Sequence, residues 1–200
     1  MDGRPLDREE FRLKLQASCA SAADADAGWS PEPDIPAGVP AAVLIGLVAH
    51  PEGLGIILTE RTADLVNHAA EISLPGGKVE PGDDGPAAAA LREAFEEIGL
   101  TPDRVEVLGC LSPHRTISGF CVHPFVGWIE PPVDLTPDTR EVADIFEVPL
   151  EFVLDPANHH RDSLFVGGVR REFYVLPYPG HRIWGATAGI LVDLAEVLGP

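Results

Sequence analysis

The chain has 200 residues, 32 acidic against 14 basic, a formal net charge of −18 at pH 7, and 45% hydrophobic residues. That length and composition suit one domain with a sizeable core. The charge excludes nucleic acid as a partner, because such binding needs Lys and Arg to displace counterions, but a small nucleotide can still be held by local cations and a metal ion. In chain order, residues 6–19 place Leu6, Phe11, Leu13 and Leu15 among charges at helical spacing. The opening MDGRPLDREEFRLKLQ lacks the apolar core of a signal peptide, and no apolar run approaches a membrane span. A cytoplasmic protein that does not enter membranes is expected. Residues 20–40 are rich in Ala, Asp, Gly and Pro without periodicity, and read as a linker or an ordered wrap. The expected division is an N-terminal helix and extension over 1–38, then one domain over 39–200.

Ala41 to Ala49 is an apolar run suited to a buried strand, Pro51-Glu52-Gly53 a turn, and Leu54 to Glu60 the returning strand. A helix is predicted from Pro86 to Ile98, with proline in its first turn. Val105 to Leu111 and Cys121 to Ile129 read as strands flanking the loop 112–120. Residues 147–155 suggest a short helix. Leu164 to Val166 and Arg171 to Leu176 suggest a hairpin around Gly167-Gly168, and Ile183 to Leu198 a final amphipathic helix packed by Trp184. Strands and helices interleave without regular βαβ repetition, so the expected class is α/β with a mixed β-sheet covered by helices. Cys19, Cys110 and Cys121 are odd in number and scattered, and reduced thiols are expected.

The chemistry concentrates in Leu74 to Leu100, LPGGKVEPGDDGPAAAALREAFEEIGL. Glu93, Glu96 and Glu97 are spaced i, i+3, i+4 and project from one face of one helical turn. The predicted apolar stripe, Leu91, Ala94, Phe95 and Ile98, lies roughly opposite. An acidic face of that kind is usually just solvated. Here Gly76-Gly77 precedes it and permits close approach of a ligand to the main chain, Arg92 can orient a carboxylate, and Gly99 can cap the helix. Like charges at this spacing repel, and a divalent cation relieves the repulsion. Oxygen-only ligands suit Mg²⁺ or Mn²⁺, which share their shell with water and substrate phosphates. The segment points to chemistry on a diphosphate.

These residues resemble the Nudix box: a glycine, a spacer, an acid, a spacer, then Arg-Glu-x-x-Glu-Glu-x-Gly and an apolar residue. The matching positions are Gly77, Asp83, Arg92, Glu93, Glu96, Glu97, Gly99 and Leu100. The early acid is Asp rather than Glu, and its spacer to Arg92 is one residue longer than usual. Placing Asp84 there restores the spacing but puts Lys78 at the glycine. Upstream, LTERTADLVNHAAEISLPGG resembles the signature of Nudix coenzyme A pyrophosphatases at Leu58, Thr59, Arg61, Leu65, His68, Ala69, Pro75, Gly76 and Gly77, and departs from it at Thr62, Val66, Ala70 and Leu74. Arg115 to Phe120 and Ile183 to Ala188 are further matches. The resemblance covers about residues 40–195 and implies the Nudix α/β/α sandwich. It also implies cleavage of coenzyme A, or its thioesters, to 4′-phosphopantetheine and adenosine 3′,5′-bisphosphate. The same chemistry on ADP-ribose, NADH or a nucleotide sugar is the rival, and a non-catalytic nucleotide-binding regulator is the rival from another class. Relatives of this type also lead us to expect a homodimer.

For that hydrolysis, Glu96 and Glu97 are candidate metal ligands, and Glu93 is a ligand or the base. The resemblance adds the Gly77 carbonyl as a ligand and gives Arg92 the task of orienting a glutamate. Glu141, in DTREVADIFEVPL, is a candidate extra catalytic acid, its alternative being an exposed acid before a strand. Arg61, Lys78 and Arg115 are candidate phosphate contacts, each open to a surface salt bridge instead. His68 reads as a loop-fixing histidine rather than a base. His159-His160 lacks the neighbours that zinc would need.

Overall fold

The computed structural model describes residues 8–17, 38–63 and 71–199. His68 and its neighbours from Leu65 to Ala70, Leu6, Cys19 and the Pro/Ala/Asp-rich stretch up to residue 37 lie outside them.

The frame is a mixed sheet centred on β1 (Val39–His50). Its predecessor in the expectation was the apolar run 41–49, and the strand runs slightly past both ends. β2 (Gly53–Arg61) returns antiparallel to it through the Pro51–Gly53 turn, while β7 (Phe120–Ile129) pairs parallel to β1 over ten residues. β3 (Ile72–Ser73) and β8 (Val142–Pro149) add to β2, β4 (Gly76–Lys78) adds to β1, and β5 (Val105–Cys110) and β6 (His114–Arg115) add to β7. β1 is apolar on successive residues because both of its faces are covered. Ala41, Ile45 and Leu47 enter one core layer, and Ala42, Leu44 and Val48 enter the other.

The second layer is closed by α2 (Pro86–Ile98), which buries Ala89, Ala90, Ala94 and Ile98 against it. The first is closed by the helix over residues 8–17 (α1), α3 (Leu150–Leu154) and α4 (Gly185–Leu198). The result is an α/β/α sandwich with a mixed sheet, as expected. A separate antiparallel sheet of β9 (His160–Val166), β10 (Val169–Tyr178) and β11 (His181–Trp184) packs beside α4.

Several elements differ from the expectation. Residues 147–149 finish β8, so the helix begins only at Leu150. Ile183 and Trp184 end β11, and the last helix starts at Gly185. That helix is nearly buried rather than amphipathic, because the small sheet and α3 also pack against it. Trp184 forms an edge contact with Phe173, with ring centroids 5.4 Å apart. Cys110 is disulfide-bonded, whereas Cys121 is free. The expectation of three reduced thiols is therefore corrected at Cys110.

α1 is tied firmly to the sheet. Phe11 and Leu15 are fully buried, and a Cβ at Gly109 would lie 2.8 Å from the Leu15 Cβ, so the helix rests where β5 has no side chain. Phe11 meets Trp128 edge-on, and Arg8 and Arg12 both pair with Glu106. Leu13, expected among the apolar positions, is exposed.

Candidate active site

The Gly-Gly loop becomes β4, antiparallel to β1 with Gly77 opposite Ala42 and Gly76 opposite Val43. At neither position does a side chain fit without displacing a neighbour. Gly76 has φ of 156°, and a Cβ there would lie 2.3 Å from the Ala42 carbonyl oxygen. A Cβ on Gly77 would lie 2.5 Å from the Glu93 carboxyl carbon. The missing side chains let the backbone of the loop lie directly against the glutamates of α2.

α2 begins with Pro86 in its first turn and ends at Gly99, which is left-handed at φ 71° and donates its N–H to the Phe95 carbonyl at 2.9 Å. The three glutamates do not share one environment. Glu97 is seven residues from Ala90, about 20° around the helix from it, and so it points with the buried alanines. Its side chain is 5% exposed, against 18% for Glu93 and 55% for Glu96. The expectation that all three lie opposite the apolar stripe is corrected, as is the stripe itself, since Phe95 is half exposed. Small alanines bring this side of the helix close to the sheet, and a phenylalanine does not fit there.

Arg92 clasps the outer side. Its Nε and Nη2 donate to Asp83 at 2.8 and 3.1 Å, its Nη1 to Glu93 at 3.0 Å and Glu96 at 3.1 Å, and Nη2 also to the Lys78 carbonyl at 3.1 Å. Arg92 thus bonds two of the three glutamates. The Arg92 bonds hold the Asp83 carboxyl below its ordinary range, and the Glu80 N–H helps. Asp83, rather than Asp84, fills the early acidic position.

Glu97 is the electrostatic centre. Burial pushes its carboxyl up to about 7. The Gly76 N–H, donating at 3.2 Å, and the Arg61 guanidinium, 3.8 Å away, oppose that rise, whereas Glu93 and Glu141 add to it. Burial also raises the Glu93 carboxyl, against the pull of Arg92. Arg61 therefore faces Glu97.

Glu141 reaches the same place from a turn before β8. That turn is bonded to the end of α2: Thr136 N–H donates to the Ile98 carbonyl at 2.9 Å and Asp138 N–H to that of Glu97 at 2.8 Å. Thr62 N–H then donates to the Glu141 carbonyl at 2.9 Å. Glu141 is thereby fixed near both glutamates, although it is distant from them in sequence.

A cavity of about 920 Å³ is lined by Arg61, Gly77, Lys78, Glu93, Glu97, Arg115 and Glu141 together. Of the predicted site residues only Glu96 and Arg92 are absent from its wall, both turned to the outer clasp. Another part of the lining was not anticipated. It comprises His114, and Phe173, Tyr174 and Trp184 from the small sheet. The hairpin was legible in the sequence, but nothing in its residues showed that it would close this cavity.

A buried carboxylate crowded by two more, with one cation at 3.8 Å, is a donor set that fits a hard divalent ion. Among the described residues no three such groups form a ready-made metal cage. Ions that retain water and take up substrate oxygens need no complete cage.

The NUDIX domain family matches residues 39–166. Relatives called "Uncharacterized Nudix hydrolase NudL" are 40% identical over 159 residues in Cronobacter sakazakii and 38% identical over 159 residues in Escherichia coli K12. Each match covers 80% of this chain and 82% of the relative. A crystal structure of DR0079 from Deinococcus radiodurans has a TM-score of 0.51 at 15% identity, over 82% of this chain and 86% of that one, a likeness of fold alone. The chain belongs to the Nudix hydrolase family, whose members generally use divalent metal ions such as Mg²⁺ or Mn²⁺. Among the described residues no helix is long and apolar enough to cross a membrane.

Proposed function

We propose that this Nudix hydrolase cleaves the diphosphate of coenzyme A or its acyl thioesters. The observation that carries the reading is the single cavity joining Glu93, Glu97 and Glu141 to Arg61, Lys78 and Arg115. Its volume of about 920 Å³ suits a nucleotide-sized ligand, pockets of this kind running about 300–1,000 Å³. The upstream resemblance through Leu58, Thr59, Arg61 and Pro75-Gly76-Gly77 supports the particular substrate.

Glu97, Glu93 and the Gly77 carbonyl would hold Mg²⁺ or Mn²⁺, with Glu96 joining by a rotamer change away from Arg92. A bound ion of this type neutralises phosphate charge and lowers the pKa of water. Glu141 lines the cavity, and its carboxylate makes no hydrogen bond among the described residues, which suits it to take a proton from the attacking water. Glu93 is the other group able to do so. Arg61 holds Glu97 in place, and Lys78 and Arg115 supply positive charge to phosphate oxygens.

The test is a kinetic panel of coenzyme A, ADP-ribose and NADH with Mg²⁺ and with Mn²⁺. Coenzyme A should have the highest kcat/KM. A clear preference for ADP-ribose or NADH would replace this substrate, and binding without hydrolysis of any would point to a regulator. Residues 39–200 form the catalytic domain in this reading, and two copies assemble about a two-fold axis. A light-scattering mass of one chain at micromolar concentration would refute the dimer.

A further inference from the structure

Arg61 was one of the three sequence candidates for a phosphate contact, but its guanidinium faces Glu97 at 3.8 Å. Lys78 sits on the glycine loop, with Nζ 6.0 Å from the centre of the Phe120 ring. Both cations line the cavity with Glu93 and Glu97. The lining also holds a histidine that the chemistry above does not use, three strands across the sheet from Lys78.

His114 lies on β6, its backbone opposite Val122 of β7, and it lines the cavity with Gly185, Ala186 and Gly189 of α4. Its ring rests on the helix where there is no side chain: a Cβ at Gly189 would come within 2.7 Å of Cε1. Its Nδ1 is 3.6 Å from Oδ2 of Asp193, one turn further along the same helix. That separation is longer than a hydrogen bond, but a carboxylate there attracts a ring N–H and orients the imidazole. The Nε2 atom makes no hydrogen bond among the described residues, and the side chain is 27% exposed. An imidazole seated on the helix, with a carboxylate behind it and a nucleotide-sized cavity in front, is suited to a phosphate dianion, which can accept an imidazole N–H.

We propose that His114, backed by Asp193 and seated on Gly189, is a specificity-determining residue that binds a phosphate monoester borne by the substrate away from the scissile diphosphate. The proposal rests on the functional reading above, since coenzyme A carries such a group and dephospho-coenzyme A does not. A purely structural histidine, bracing α4 against β6, would treat the two compounds alike.

The experiment measures kcat and KM for both compounds in the wild-type protein and in His114→Ala, His114→Gln and Asp193→Asn. His114→Ala should raise KM for coenzyme A by about ten- to a hundredfold, the usual effect of losing a charge-assisted contact. Its kcat, and both constants for dephospho-coenzyme A, should stay within about twofold. His114→Gln should recover part of the loss through its amide N–H, and Asp193→Asn should show a smaller change in the same direction. Retained turnover of dephospho-coenzyme A shows that a variant is folded. Should His114→Ala fail to fold, the partly exposed Asp193→Asn carries the comparison. Equal changes for both compounds, or none for either, would overturn the proposal. A wild-type protein that hydrolyses neither compound would overturn the coenzyme A reading, and this proposal with it.

Discussion

Glu97→Gln offers the sharpest test of the site, because it separates the carboxylate's charge from its shape. In the metal-free protein the Glu97 carboxyl stands at about 7 against an ordinary 4.5, chiefly through burial. The folded state therefore holds its proton more tightly than the unfolded state. Between pH 4.5 and 7 the folded protein binds more protons, so stability falls as pH rises through that window. Below it the cost vanishes, and above it the cost is complete. At about 1.4 kcal/mol per pH unit, the gap corresponds to about 3 kcal/mol. For a protein of this size that is a Tm difference of roughly 6–12 °C. Thermal melts in chelator at pH 5 and pH 8 should show a loss for the wild type that Glu97→Gln largely escapes. Adding Mg²⁺ at pH 8 should restore the wild type, as a ligand of the native state does, and leave the variant little changed. Turnover of the variant at saturating Mg²⁺ should fall by about a hundred- to a thousandfold. Parallel pH profiles for the two proteins, together with near-normal turnover of the variant, would refute the reasoning.

The remaining expectations concern positioning and packing. Arg61→Ala should lower turnover of coenzyme A and dephospho-coenzyme A equally, by about ten- to a hundredfold, since it removes the cation beside Glu97. A KM effect confined to coenzyme A would return Arg61 to phosphate recognition. Gly77→Ala should cost about a hundredfold in kcat, because its Cβ would meet the Glu93 carboxyl, while circular dichroism stays that of the wild type; full activity would remove Glu93 from the site. Phe11→Ala should destabilise the protein by about 3–5 kcal/mol in urea unfolding, and a loss below about 1 kcal/mol would mean that α1 is docked only loosely.

The glycine loop, the limits of α2 and the central strand were legible because each has a local cause. Gly76-Gly77, Pro86 and Gly99 act through backbone geometry, and β1 through a continuous apolar run. Glu93, Glu97, Arg61, Lys78, Arg115 and Glu141, scattered along the sequence, line one cavity. The two-residue strands β3 and β6 were not legible, since so few residues carry no periodicity. Nor was the strand end at Ile183–Trp184, where apolar residues suit either element. The small sheet's position depends on packing against α4, which no local pattern encodes. The difference between Glu96 and Glu97 could have been found. At 100° per residue Glu97 falls inside the arc that Ala89, Ala90 and Ala94 occupy, whereas Glu96 falls about 20° beyond Ala89, outside that arc.

That one-residue step gives the site two electrostatic environments on one turn of helix. Glu97 is pressed toward the core and raised to about 7, so it is left short of positive charge. Glu96 stands in solvent, already paired with Arg92. Glu93 lies between, sharing Arg92 on one side and facing Gly77 on the other. Arg92 makes the division stable because it is anchored elsewhere. Two of its bonds go to Asp83 and one to the Lys78 carbonyl, so the loop from Lys78 to Asp83 and the helix hold each other. Asp83 is in turn held by the Glu80 N–H at 2.7 Å. The extra residue before Arg92 is accommodated in the loop without displacing this bond. Arginine is suited to this clasp because its planar fork reaches several acceptors at once, whereas a lysine would supply a point charge. Neutralising the outer acids through Arg92 leaves the uncompensated charge on the inner ones, at the wall of the cavity where a metal ion and a diphosphate would meet.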